Sequence, residues 1–223
     1  MKIPKQKSIR ILLFLFLKRI VDLILSLLIL IIFSPLIIII SLVIWYKLGL
    51  PVLFGQIRPG KNGKPFKIIK FRTMSNEYDT SGNPLPDNLR INGIGRFLRK
   101  TSLDEFPEFL NVLLGDMSIV GPRPLLMKYL PYFTEREQKR HEVKPGITGL
   151  SQVNGRNLLT WDQRLEMDVK YVENLSIHLD MKIFFQTIGN VITQKDVLEV
   201  SSEHIPDFDD YRKNRIKGER HGS

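Results

Sequence analysis

The 223 residues include no cysteine and only four histidines, and a single acidic residue, Asp22, precedes Glu77. The first absence excludes a disulfide framework, thiolate metal sites and a thiol nucleophile, and fits a domain facing the cytoplasm. The histidines, His141, His178, His204 and His221, are scattered and form no obvious site. The shortage of acid leaves the N-terminal region cationic. Lys2, Lys5, Lys7, Arg10, Lys18 and Arg19 precede a long apolar run, and Lys47, Arg58, Lys61, Lys64, Lys67, Lys70 and Arg72 follow it. A small-residue cleavage site is also missing, so the apolar segment does not read as a removed signal peptide.

What is present begins with that run, 24 residues from Leu23 to Tyr46 without a charge. As one straight helix it would reach ~36 Å, enough to cross a hydrocarbon core of ~30 Å. Ser34-Pro35 interrupts it near the middle. Proline removes a backbone donor and crowds the carbonyl four residues back, so a sharp kink is expected, with the Ser34 hydroxyl available to a freed carbonyl. Because both flanks are basic, the positive-inside bias is met on both sides if the chain dips into the cytoplasmic leaflet and returns. A kinked span is the alternative. Trp45-Tyr46-Lys47 closes the run with an interfacial anchor pattern.

The length suits one domain of ~150 residues plus the membrane element. A formal charge of +10 points to an anionic partner: nucleic acid, anionic lipid headgroups or a phosphorylated substrate. The apolar segment favours the last two, and no aromatic-basic motif for nucleic acid is present. The division expected is 1–50 for the membrane-associated N-terminal helix and re-entrant hairpin, 51–200 for a cytoplasmic domain, and 201–223 for a basic, mobile tail around Arg212-Lys213-Asn214-Arg215. Ser8–Arg19 reads as a short interfacial helix, or else as the first part of a longer span. Residues 52–54 and 66–72 bracket an Asn-Gly loop and read as a β-hairpin. Ser75–Asn92 reads as a loop, and amphipathic helices are expected at about 103–114, 125–142, 160–173 and 180–195. No internal repeat is found. The fold class is therefore α+β, mostly helical: a re-entrant helix-break-helix, a small β-hairpin, and amphipathic interface helices around a compact cytoplasmic domain.

Asp104 and Glu105 are adjacent carboxylates preceded by Arg96, Arg99 and Lys100 and followed by Gly121-Pro122-Arg123-Pro124. Ser102-x-x-Glu105 is also a capping box, and acids in a first helical turn are ordinary helix chemistry. Pro107 leaves the register of that helix start open. Either register keeps the two acids at a positive helix end, which would also favour a phosphate.

Five segments occur in series: Lys70-Phe71-Arg72-Thr73-Met74; Arg99 to Pro107; Asn111 to Pro124; Lys144-Pro145-Gly146-Ile147-Thr148-Gly149; and Gln152-Val153-Asn154-Gly155-Arg156. Together they resemble the bacterial sugar transferases, and more narrowly the small monotopic polyprenyl-phosphate phosphoglycosyltransferases. The resemblance covers residues 18 to 195. One departure is Leu150-Ser151, where a Trp-Ala or Leu-Ala pair is common.

The resemblance implies a polyprenyl-phosphate sugar-1-phosphate transferase at the bacterial inner membrane, monotopic and facing the cytoplasm. Its implied partners are a UDP-sugar and an undecaprenyl-type phosphate, and the membrane break is at Ser34 and Pro35. It makes Asp104 the nucleophile, Glu105 its metal-linked partner with Mg²⁺ held by Glu105 and Asp104, and Lys70, Arg99, Arg123 and Asp168 the phosphate- and substrate-binding residues. The product would be a polyprenyl diphosphate sugar, the first membrane step of exopolysaccharide, capsule or glycoconjugate synthesis, made through an aspartyl-phosphosugar. An ordinary aspartate, titrating near ~4, is ionised at neutral pH and needs no general base to attack phosphorus. Two other classes compete. One is a non-catalytic membrane-surface binding protein; the other is a metal-dependent glycosyltransferase, whose metal motif Asp207-Phe208-Asp209 imitates. A homodimer stays open, and the sugar and pathway are not readable.

Overall fold

The computed structural model describes residues 5–155, 159–193 and 206–221. It is mostly helical, with two small sheets of two strands each. Nothing between residues 5 and 32 breaks a helix, since that stretch has neither glycine nor proline. The segment is accordingly one helix, α1 (Lys5–Ile32), and the separate interfacial helix expected at Ser8–Arg19 is absorbed into it. α2 (Ser34–Leu48) follows after a 62° bend. Pro35 cannot donate to Ile31, four residues back, and the Ser34 hydroxyl donates to that same Ile31 carbonyl at 2.8 Å. Among the described residues no single helix is long and apolar enough to cross a membrane; the bent pair taken together meets that requirement by length and composition only. Much of its apolar surface has no partner in the fold, with Leu12, Ile24, Ile31, Ile38 and Trp45 all exposed.

One face of α1 is bound to the rest of the chain. Lys18 Nζ pairs with Asp180 at 2.5 Å. The Arg19 guanidinium donates to the carbonyls of Val112 and Leu113, and the Ser118 hydroxyl and Ile119 N–H donate to buried Asp22. Lys18 and Arg19, which read as flanking charges in the sequence, are thus also docking residues; Arg19 places a cation on the carbonyls at the negative end of a helix.

The hairpin forms as expected. β1 (Leu53–Pro59) pairs antiparallel with β2 (Pro65–Phe71), and the turn places Asn62 and Gly63 at positive φ. Phe66, Ile68 and Lys70 share one face of β2 by the two-residue period. Phe66 and Ile68 enter the core, so Lys70 is carried inward with them. After a segment with a one-turn helix, α3 (Asp87–Arg90), comes α4 (Gly93–Lys100), capped by the Asn92 side chain on Gly95 N–H. The helix expected at 103–114 is interrupted: Leu103–Glu105 is a single 3-10 turn, and α5 (Glu108–Leu114) begins only after Pro107.

β3 (Ser118–Val120) lies parallel to β4 (Gly146–Thr148). Between them the expected 125–142 helix is broken into a 3-10 stretch Met127–Tyr132 containing Pro131, a short α6 (Glu135–Gln138), and a further 3-10 turn. Proline inside a helix removes a hydrogen bond, which accounts for the fragmentation. α7 (Leu150–Val153), α8 (Trp161–Glu173) and α9 (Ile177–Thr193) complete the domain. The C-terminal segment, expected to add charge rather than fold, contains α10 (Phe208–His221). Its Phe208 is fully buried against Tyr129, Phe133, Trp161 and Leu165. Residues 201–205, with His204, lie outside the described residues.

Candidate active site

One polar side chain sets the frame of the site. The Asn111 amide on α5 accepts from Ile69 N–H at 3.0 Å and donates to Lys67 carbonyl at 2.8 Å, fastening α5 to β2. That contact brings Glu108, at the start of α5, to Lys70: Nζ lies 3.0 Å from Glu108 Oε1 and 2.7 Å from Glu105 Oε1. Arg123 Nη2 reaches the same Glu105 oxygen.

Arg123 is placed by tight backbone packing. Gly121 N–H donates to Thr148 carbonyl at 2.8 Å and Gly146 N–H to Pro122 carbonyl at 3.0 Å. A Cβ on Gly146 would sit 2.1 Å from Gly121 N, so only glycine permits this approach. Arg140 then donates to the Arg123 carbonyl at 2.7 Å and to Asp168 Oδ2 at 2.8 Å, while the Ser151 hydroxyl holds the other Asp168 oxygen at 2.9 Å.

The adjacent acids have opposite environments. Ser102 sits in the left-handed region at φ 57° and its side chain makes no cap bond, so the capping box is not formed. Glu105 is gripped by two cations. Burial alone would raise its carboxyl, but Arg123 and Lys70 hold it well below the usual range. Half-buried Asp104 has no hydrogen bond or ion pair among the described residues. Burial, and then the charge of Glu105, push its carboxyl up to about 6, against the pull of Lys70, Arg123 and Arg99. The ordinary aspartate value expected from sequence is therefore corrected upward, although most of the group is still ionised at neutral pH. Burial and the Glu105 charge also push Glu108 up to about 7.

A cavity of about 1120 Å³ opens beside this cluster. Its lining has a charged set, including Arg99, Glu105, Arg123, Arg140, Arg164 and Asp168, and an apolar set that includes Ile29 and Phe33 at the helix bend and Ile188 and Ile192 on α9. Phe33 meets Phe106 edge-on at 5.2 Å, directly joining the bend to the turn that carries the acids. The cavity is large for a single small ligand.

Of the residues singled out in the sequence, Lys70, Asp104, Glu105 and Arg123 are brought together. Arg99 lines the cavity with its Nε on Thr73 at 3.0 Å. Asp168 lines it too, but is committed to Arg140 and Ser151. Arg156 lies outside the described residues. Asp207 and Asp209 pair with Lys128 and do not line the cavity, so the imitation of a glycosyltransferase metal motif is structural. Glu108, Arg140 and Arg164 were missed; only Glu108, an acid at a helix start three residues after Glu105, carried a local signal.

No group of three or more histidines and acids able to hold a metal is found among the described residues. Mg²⁺ is commonly bound by one or two carboxylates, with water and substrate phosphates supplying the rest. The Asp104 carboxylate and Glu105 Oε2, which accept no hydrogen bond from the described residues, are hard donors that fit such a shared site.

A family model described as bacterial sugar transferase matches residues 13–194. The chain belongs to the bacterial sugar transferase family. It is 50% identical over 185 residues to the uncharacterized sugar transferase EpsL of Bacillus subtilis, covering 83% of this chain and 92% of that protein. It is 42% identical over 181 residues to the UDP-glucose:undecaprenyl-phosphate glucose-1-phosphate transferase of Klebsiella pneumoniae, and 40% identical over 201 residues to the undecaprenyl-phosphate galactose phosphotransferase of Salmonella typhimurium. Those matches take in 77% and 81% of this chain but only 39% and 41% of the two longer transferases.

Proposed function

We propose that the protein is a phosphoglycosyltransferase that moves a sugar-1-phosphate from a UDP-sugar to a polyprenyl phosphate of the undecaprenyl type. The observation that carries the reading is the unequal treatment of two adjacent carboxylates. Glu105 is neutralised by Lys70 and Arg123 and is not free to attack, whereas Asp104, next to it in the chain and within the field of Lys70, Arg123 and Arg99, is mostly ionised and has no hydrogen bond or ion pair among the described residues. The names of the longer relatives supply the substrate classes.

In the first half-reaction an Asp104 oxygen bonds to the sugar-linked phosphorus. The bond from that phosphorus to the bridging oxygen breaks, and UMP leaves with the electron pair. In the second half-reaction an oxygen of the polyprenyl phosphate attacks the same phosphorus, the aspartyl–phosphorus bond breaks and the carboxylate is restored. The acceptor, with a second pKa of about 6, is already largely dianionic, so neither step requires a dedicated base. Arg123, Arg99 and Lys70 offset charge on the phosphoryl oxygens. Mg²⁺, held by Glu105 and Asp104 together with substrate phosphate, would add Lewis-acid stabilisation.

The exposed, bent α1–α2 pair is read as re-entering the cytoplasmic face of a bacterial inner membrane. The bend then delivers lipid phosphate to the cavity through Ile29 and Phe33, with anionic headgroups meeting the basic flanks. Synthesis of an exopolysaccharide or capsule is the pathway class this reaction would open.

The test is a single-substrate incubation. Given labelled UDP-sugar and Mg²⁺ without acceptor, the wild type releases up to one equivalent of UMP and keeps sugar phosphate on the protein; Asp104→Asn does neither. UMP release only when both substrates are present would refute the covalent route.

A further inference from the structure

The family match ends at residue 194, yet α10, beyond it, is built into the wall behind the cavity. Phe208 stacks on Phe133 at 5.2 Å with 27° between the planes and lies 5.2 Å from the Trp161 ring. Each of those rings also carries a guanidinium: Arg140 Cζ is 5.5 Å from the Phe133 centroid, and Arg164 Cζ is 5.0 Å from that of Trp161. Both arginines line the cavity. They differ in one respect. Arg140 is neutralised by Asp168, while Arg164 has no ion pair among the described residues and its Nε is buried without a hydrogen-bond partner.

A buried donor left unpaired is costly, and native folds seldom keep one unless something completes it. A guanidinium held over an aromatic ring spends no N–H group on that contact and keeps its donors for a planar, two-point acceptor such as a phosphate. Ion pairs clamp α10 around the aromatic contact: Lys128 with Asp207 at 2.5 Å, and Arg212 with Glu137 and with Asp162.

We propose that α10 buttresses the anion-binding wall of the cavity: Phe208 fixes the rings of Phe133 and Trp161 and thereby sets Arg164, and through Arg140 the Arg123 loop, against the phosphate groups of a bound substrate. In this arrangement Arg164 meets the ligand and Phe208 is a positioning residue. The inference rests on the proposed transfer only for the expectation that the ligand is a phosphate ester, which the nucleotide donor or the lipid acceptor would equally supply.

The experiment uses full-length wild type, Phe208→Leu, Phe208→Ala, Arg164→Met and the Phe208→Leu/Arg164→Met double variant. Affinities for UDP and inorganic pyrophosphate are measured by calorimetry, and KM for each substrate by UMP release. Phe208→Leu keeps apolar volume without a stacking ring, and so tests the idea even where Phe208→Ala unfolds. The expected result is a loss on the order of tenfold in phosphate affinity, about the worth of one charge-assisted hydrogen bond, for Phe208→Leu and for Arg164→Met. The double variant should lose little more than either single one, because coupled residues are not additive. Weaker UDP binding identifies the donor diphosphate as the ligand; unchanged UDP binding with a raised KM for polyprenyl phosphate identifies the acceptor. Unchanged affinities and KM values in a folded Phe208→Leu, or full additivity, would overturn the proposal, as would a wild type that saturates with neither UDP, nor pyrophosphate, nor polyprenyl phosphate. A wild type that binds UDP but releases no UMP from any UDP-sugar would sink the transfer reading and leave the buttress standing.

Discussion

Replacing Asp104 by asparagine should stabilise the protein while abolishing its turnover. The carboxyl rises from 3.8 to about 6 on folding because it is buried beside Glu105. At about 1.36 kcal/mol per pKa unit, ionised Asp104 costs the folded state on the order of 3 kcal/mol relative to the unfolded chain. The sign follows from the raised value: whatever stability the group contributes is fully present below about pH 4 and is lost as pH rises through 6. Asparagine does not titrate. Asp104→Asn should therefore melt higher than wild type at pH 8, by several degrees at roughly 2–4 °C per kcal/mol for a chain of this size, and the gap should close between pH 7 and pH 4. Thermal unfolding of both proteins across that range, in one detergent, measures it. On the same samples, wild-type kcat/KM for UMP release should fall below about pH 6 as Asp104 is protonated. A gap that does not change with pH, or an Asp104→Asn protein less stable at pH 8, would show that the carboxylate is not held desolvated beside Glu105.

Ser102→Gly separates a strained turn from a helix cap. Relief of the left-handed backbone should leave stability unchanged or raise it by up to about 1 kcal/mol, whereas at a true cap the same change would lower it by a few tenths of a kcal/mol, so the sign of the shift on denaturant unfolding decides. Gly146→Ala drives a Cβ to 2.1 Å from Gly121 N, so it should destabilise by about 1–3 kcal/mol or more and raise KM by shifting the Arg123 loop; normal KM in a folded variant would disconnect that loop from the site. With single cysteines introduced at Lys5 and Lys61 in this cysteine-free chain, both positions should be labelled only from the cytoplasmic side. Pro35→Ala, which restores a donor to the Ile31 carbonyl, should let a fraction of molecules straighten and expose Lys5 outside; labelling of either site from outside in the parent protein would refute the re-entrant reading.

The elements legible in the sequence are those whose cause is local. The hairpin was readable because Asn62-Gly63 suits positive φ and the flanking strands carry apolar residues at a two-residue period. The bend was readable because Pro35 has no donor to give, and α8 because Trp161, Leu165, Val169 and Val172 recur at helical spacing behind a Thr160 cap. The pairing of Asp104 with Glu105 was visible as chemistry, and motifs in series placed Lys70 and Arg123 in the same group. Strands of three residues, β3 and β4, are too short to show any period; their pairing depends on glycines 121 and 146 meeting backbone to backbone across 24 intervening positions.

What the sequence determined by itself was the inventory: which segments are apolar, where the backbone must turn, and which carboxylates and cations are available. The tertiary structure decided how those charges are shared. Only the fastening of α5 to β2 through Asn111 gives both Glu105 and Glu108 to Lys70, and only the Gly121–Gly146 contact brings Arg123 onto Glu105. The division of labour between two neighbouring acids therefore depends on long-range packing, because the field at a carboxylate is set by the charges and the burial around it in space. The same holds for α10: its polar composition suggested a solvated tail, and one phenylalanine, given an aromatic pocket built from residues 129, 133 and 161, was enough to dock it.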